Sequence, residues 1–235
     1  MRPCPGVAPL GFILALLPIA IVAPPSKAQF VEGRVHGAWG MNLLTSPGED
    51  LTSSPGQTIM LNGSITLAGE KRKVLFQPAL NLGFNAYRTR MAYRVHFVTE
   101  RTQLGLDMVL GFPQMSGTIL QAGFFAATVT RVNNRIENDA QGVFFPLYNQ
   151  AQLQRDHFHR PGQAGVILGL AVPLAREFKW GLDLQLRQHL IPLVERSQEF
   201  ALINRPPQLI MAESTRATIL TIGLSYRIGQ AAQKG

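Results

Sequence analysis

Cysteine is nearly absent: the chain of 235 residues holds one, Cys4. It lies ahead of the apolar run near the N-terminus, so a chain processed after that run has none. That excludes disulfides and thiolate metal sites. It also argues against a lipid anchor, which needs its cysteine at the end of such a run. Long hydrophobic segments are missing too: past the first run nothing approaches about 18 uninterrupted apolar residues, so there is no second membrane helix candidate. Charge is sparse, at 15% of residues. No Lys/Arg block with interleaved aromatics occurs, which excludes nucleic acid as a partner.

The N-terminus carries a charged residue, Arg2, then VAPLGFILALLPIAIVA, then PPSKAQ. These are the parts of a secretory signal peptide, with Ser26 and Ala28 as the small residues of its cleavage site. A retained membrane anchor would need about 20 apolar residues, and this run is broken by Pro9, Pro18 and Pro24. Residues 1–28 are therefore expected to be a cleaved signal peptide, and 29–235 a single domain. Loss of Arg2 and Lys27 takes the formal charge from +8 to +6. An excess of that size is compatible with anionic headgroups or phosphates.

The remainder of the chain alternates. In KWGLDLQLRQHL, Trp180, Leu182, Leu184, Leu186 and Leu190 share one parity, and Gly181, Asp183, Gln185, Arg187 and His189 the other. Comparable runs cover 31–43, 59–69, 74–85, 103–112, 118–130, 163–174 and 216–229; the one at 118–130 is weaker because both of its parities carry apolar residues. Period two predicts strands and not helices, eight in all. Odd strands lead into long polar stretches: SPGEDLTSSPGQ, the RTRMAYR region, about 30 residues around DHFHR, and about 20 around ERSQEF. Even strands lead into short ones, GEKRK, PQMSG and AREF. Long loops at one end and short turns at the other, with an even strand count, is the layout of an outer-membrane barrel. Loops this long are uncommon in a compact soluble domain.

The two parities differ in kind. One is aliphatic and aromatic almost throughout; the other mixes Gly, Ala, Asn, Gln, Asp, Arg and His, with few of the Lys and Glu expected on a solvated strand face. Small and polar residues of both charge signs suit a narrow lumen, and eight strands enclose an interior that side chains can fill. The expected fold is thus all-β, an eight-stranded antiparallel transmembrane β-barrel in the cell outer membrane, with periplasmic termini. Ten strands is the alternative, with Met91 to Val98 in an extra hairpin. Charges inside must be paired or hydrated, so Glu32, Arg34, Arg101, Asp107, Asp183, Arg187, His189 and Arg227 are expected to form a structural lumen network. Trp39, Trp180 and Tyr226 read as interfacial girdle residues near strand ends.

The stretches GQAGVILGLAVPL, FKWGLDLQLRQHLIPL and RATILTIGLSYRIG resemble the last three strands of small outer-membrane β-barrel proteins of the PorT-like type found in Bacteroidota. LQAGFF is similar to the strand before them and FQPALNLGF to their third. The resemblance departs from the usual pattern in the fourth strand and at Ile228, where an aromatic is more common. It implies a fold and a location; most members have no assigned activity, and a few are similar to secretion-machinery components.

Chemistry is thinly represented. His157 and His159 beside Asp156, with Ser197 and Glu199 in another loop, are the candidates for a hydrolase acting on lipid or peptide at the rim, which needs nucleophile, base and carboxylate within hydrogen-bond reach. The two histidines lack an evident third metal ligand. The expectation is no catalytic residue, cofactor or metal. Outer-membrane lipid and lipopolysaccharide are the expected surroundings, with a protein or surface ligand at the long loops, where binding residues concentrate. A soluble lipocalin-like carrier is the remaining alternative.

Overall fold

Strict alternation sends successive side chains to opposite faces of a strand, and these strands pair so that every apolar parity faces out. The computed structural model describes residues 29–46, 53–68, 73–92, 95–138, 159–174, 179–200 and 208–230, with strands and no helix among them. In chain order the strands are β1 (Gln29–Thr45), β2 (Ser53–Ala68), β3 (Leu75–Ala92), β4 (Val95–Pro113) and β5 (Ile119–Asn138). Then come β6 (Gly162–Pro173), β7 (Trp180–His189), β8 (Gln198–Phe200), β9 (Gln208–Met211) and β10 (Arg216–Gln230). Eight of them close into an antiparallel barrel in the order β1-β10-β7-β6-β5-β4-β3-β2, while β8 and β9 pair only with each other. The signal-peptide segment lies outside the described residues.

The barrel count matches the eight alternating runs, and the ten-strand version is corrected. Met91 to Val98 adds no strands to the wall: Ala92 pairs with Val95, so this segment is the tip of the β3–β4 hairpin. Residues 88–92 of the RTRMAYR region are accordingly strand and not polar loop. Likewise NNRIEN continues β5, with Val95 paired to Asn138. A tilted strand of about 9–11 residues crosses a bilayer. β6, at 12 residues, and β7, at 10, are close to that length. β3, β4 and β5, at 18, 19 and 20, run well past it and stand as a three-stranded wall above one side of the mouth.

β5 reaches that height through a bulge. Thr102 pairs with Arg131 and Gln103 with Val129, leaving Thr130 as the extra residue. Below it Phe125 and Ala127 face inward; above it the inward parity passes to Asn134 and Ile136. At the opposite end Gly117 adopts φ 82°, the left-handed geometry that lets PQMSG turn in so few residues.

Outside, Val35, Leu61, Leu80, Leu104, Phe124, Leu168, Leu184 and Ile222 are all more than two-fifths exposed. Inside, Arg101, Asp107, Gln163, Arg187, His189 and Thr221 are buried. Polar and aromatic side chains occupy the lumen. The Phe125 ring lies against β6 where a Cβ on Gly165 would come within 2.7 Å of its Cζ, so glycine there makes room for the aromatic. Trp180 and Tyr226 pair across β7 and β10 at the short-turn end, ring centroids 4.9 Å apart. Trp39 does not join them: it pairs with Ile222, further up β10 than Tyr226 and away from the strand end, because β1 begins as early as Gln29.

Candidate functional site

Register decides at what height each interior charge sits, and the eight anticipated residues separate into three tiers. Near the short turns, Glu32 holds Arg34 through a close ion pair, and Arg227 approaches the same carboxylate at 3.6 Å. This tier rests on an apolar floor of Ala68, Leu75, Ile119 and Ala171.

Midway, Arg187 grips Asp107 with both terminal nitrogens: Nη1 donates to Oδ1 at 3.1 Å and Nη2 to Oδ2. Both side chains are at most 3% exposed. Asn81 Nδ2 donates to Asp107 Oδ1 at 2.6 Å, and Arg187 Nη2 also reaches Gln185 Oε1 at 3.2 Å. The Phe125 ring lies under the Arg187 guanidinium, 5.6 Å from its centroid. His189 meets the same ring edge-on, and its Nδ1 is 3.1 Å from Gln163 Oε1. Asp183 faces inward opposite Gly223 on β10 and Ala171 on β6. These bonds are dictated by burial, since a charge removed from water without a partner costs several kcal/mol.

Arg101 belongs to neither tier. It sits at the mouth, stacked over the Tyr87 ring at 5.6 Å, with Nη2 donating to the Leu193 carbonyl at 2.8 Å and to His159 Nδ1. Here the chain between β7 and β10 folds back over the opening. Leu193, Val194, Ile210 and Met211 are fully buried and pack with Tyr87 and Phe97 of the wall. The cap is pinned by the Arg160 amide to the Leu193 carbonyl (3.0 Å), the Leu193 amide to the Thr215 carbonyl (2.8 Å) and Arg160 Nε to the Val194 carbonyl (3.1 Å).

The rim candidates for hydrolysis do not assemble among the described residues. His159 forms a bridge with Val194 and contacts Arg101 and Asn134, its Nε2 lying 3.4 Å from Asn134 Oδ1. Burial first, and the Arg101 guanidinium second, hold its pKa down at about 2. An imidazole kept neutral with Nδ1 accepting from Arg101 is a structural acceptor. Ser197 Oγ is engaged 3.0 Å from the Glu213 amide. Asp156, His157 and the Glu199 side chain lie outside the described residues. Among the described residues no three His, Cys, Asp or Glu side chains converge on one point.

The cap was not legible beforehand. Its apolar residues are scattered through what reads as a polar loop, and the one available signal was the pair of short clusters LIPLV and LIMA.

A closed, even-stranded antiparallel barrel with apolar side chains outside and a packed polar interior defines the class of outer-membrane-type β-barrels. No family model matches the chain, and no curated protein matches it. Among solved structures, Neisserial surface protein A (NspA) is similar at 14% identity and a TM-score of 0.49, covering 86% of this chain and all of that one. The outer membrane protein AlkL is similar at 12% identity and a TM-score of 0.38, covering 90% and 98%. Ail, the attachment invasion locus protein of Yersinia pestis, is similar at 9% identity and 0.35, covering 85% and 100%.

Proposed function

We propose that this chain is an outer-membrane β-barrel protein with a closed polar lumen, acting without catalysis as a rigid mount for an extramembrane rim that binds a protein or surface ligand. The observation that carries it is the inversion of burial. Leucines and phenylalanines around the barrel are exposed while arginine, aspartate and asparagine fill its interior. Such a surface is stable in lipid and aggregates in water. A lipocalin-like carrier needs the reverse, an apolar calyx and a polar exterior. The charged tiers Glu32–Arg34–Arg227 and Asp107–Arg187 with Asp183 and His189, together with Arg101 at the mouth, are taken as structural, fastening opposite walls to one another.

Residues 1–28 serve as the cleaved signal peptide, and the termini face the periplasm, at the end where turns are short. The strand patterns shared with PorT-like barrels support the same location. The rim hydrolase has the weaker support: the contacts described for His159 are to Arg101, Asn134 and Val194. Outer-membrane fractionation with heat-modifiable gel mobility tests the proposal. The protein should enter the detergent-dependent fraction and migrate faster unheated than boiled. Recovery from the soluble periplasm would overturn it.

A further inference from the structure

The outward face of the wall changes character where the apolar belt ends. Leu104 on β4 is half exposed. One rung above it, Phe84, Thr102 and Arg131 stand side by side on β3, β4 and β5. The next rungs carry Glu100 and Asn133, then Arg88 with Arg135, then Arg90 with Glu137. Four arginines thus face two carboxylates over three adjacent strands.

The carboxylates are already claimed. Arg88 Nη2 binds Glu137 Oε2 at 2.7 Å, and Arg135 Nη2 spans Glu137 Oε1 at 2.7 Å and Glu100 Oε1 at 2.9 Å. Asn133 Nδ2 donates to Glu100 Oε2 at 3.0 Å. Arg88 and Arg135 remain 42% and 45% exposed, so each has donors left over. Arg90 and Arg131 are exposed and have no acidic partner among the described residues. The ion pairs hold the middle arginines upright, and two more flank them.

We infer that this arginine ladder binds the phosphates of lipopolysaccharide in the leaflet at the loop end; the inference rests on the outer-membrane reading above. Position and chemistry agree. Headgroups occupy about 5–8 Å beyond a ~30 Å hydrocarbon core, the rise of about two strand residues, so Arg131 stands at headgroup level, with Arg88 and Arg135 four residues further up the wall and Arg90 six, where phosphates that project beyond the headgroup plane can reach them. Guanidinium groups present forked donors that match phosphate oxygens two at a time. The ion pairs to Glu137 and Glu100 also pre-position Arg88 and Arg135, so these two have little side-chain freedom left to lose. Arg216, exposed on β10 across the barrel, has Thr45 as its partner on β1.

The test uses the full chain in zwitterionic micelles, titrated with bisphosphorylated lipid A. An Arg90→Gln/Arg131→Gln double variant should bind roughly tenfold or more weakly, the scale expected of two cations near an anionic surface. An Arg216→Gln/Lys73→Gln variant, with the same charge change elsewhere, should bind as the parent does. Lipid A stripped of its phosphates should bind the parent no better than it binds the ladder variant. Equal binding by both variants, or indifference to the phosphates, would overturn the inference while leaving the barrel reading standing. Both substituted arginines are exposed, and the heat-modifiable gel shift verifies folding. If the parent itself shows no such shift, it is the outer-membrane reading that fails.

Discussion

Asp107 and Arg187 show how far single residues can be read. Alternation placed both on the inward parity, because parity fixes the face. It leaves height open, since height depends on how far each strand slides against the next. Seven charged residues and His189 therefore read as one set, and pairing register resolved them into a floor tier, a middle tier and Arg101 at the mouth. The middle pair makes a direct prediction. Asp107→Asn leaves a buried guanidinium uncompensated and should cost roughly 3–5 kcal/mol, read as a lower urea midpoint in micelles. Adding Arg187→Gln should recover part of that loss. If the double variant is as unstable as the sum of the singles, the two residues do not act on each other.

Elements were legible where period two ran unbroken, as in β7 and β10. They were not where the pattern shifts. The bulge at Thr130 exchanges the inward and outward parities of β5, so NNRIEN reads as polar loop although it is strand. The cap has no period at all, being held by irregular backbone bonds and a small apolar cluster. Met211→Asp puts a charge into that cluster. It should release the cap without opening the barrel: the amides of Arg160 and Leu193 would exchange rapidly, while those of β1 and β2 stay protected. Loss of protection throughout would mean the cap is part of the barrel's own stability.

The cap should also respond to pH. His159 titrates near its ordinary 6.5 in an opened state and at about 2 when packed against Arg101, Asn134 and Val194. The opened state therefore binds the proton first. Its contribution is intact above about pH 6.5 and drains away as pH falls from there toward about 2. Hydrogen exchange at Leu193, corrected for intrinsic rates, should rise between pH 7.5 and 5. In His159→Gln that rise should be flatter, and an identical rise in both would assign it elsewhere.

At the scale of the molecule, the fold class was readable and the asymmetry was not. Eight alternating runs and their unequal connections imply a barrel in lipid; nothing in them says that one side stands much taller. Depth in the bilayer gives a prediction of its own. Leu184 sits halfway up the wall and Leu43 near the rim, where it pairs with Thr218. Arginine at Leu184 should cost about 2–4 kcal/mol, and at Leu43 no more than about 1, measured by denaturant unfolding from vesicles. Equal costs would contradict a membrane centred on Leu184.

The β1–β10 pairing carries a further consequence. The barrel is closed by hydrogen bonds between strands from opposite ends of the described chain, Gly33 to Ile228 and Thr45 to Arg216. A polypeptide emerging from its N-terminus exposes one edge of β1 first and fills it last. Throughout export that edge is a row of unsatisfied donors and acceptors, open to any other extended chain. Closure is then a single late event of high contact order, since the first and last strands of the barrel must meet before the ring is sealed.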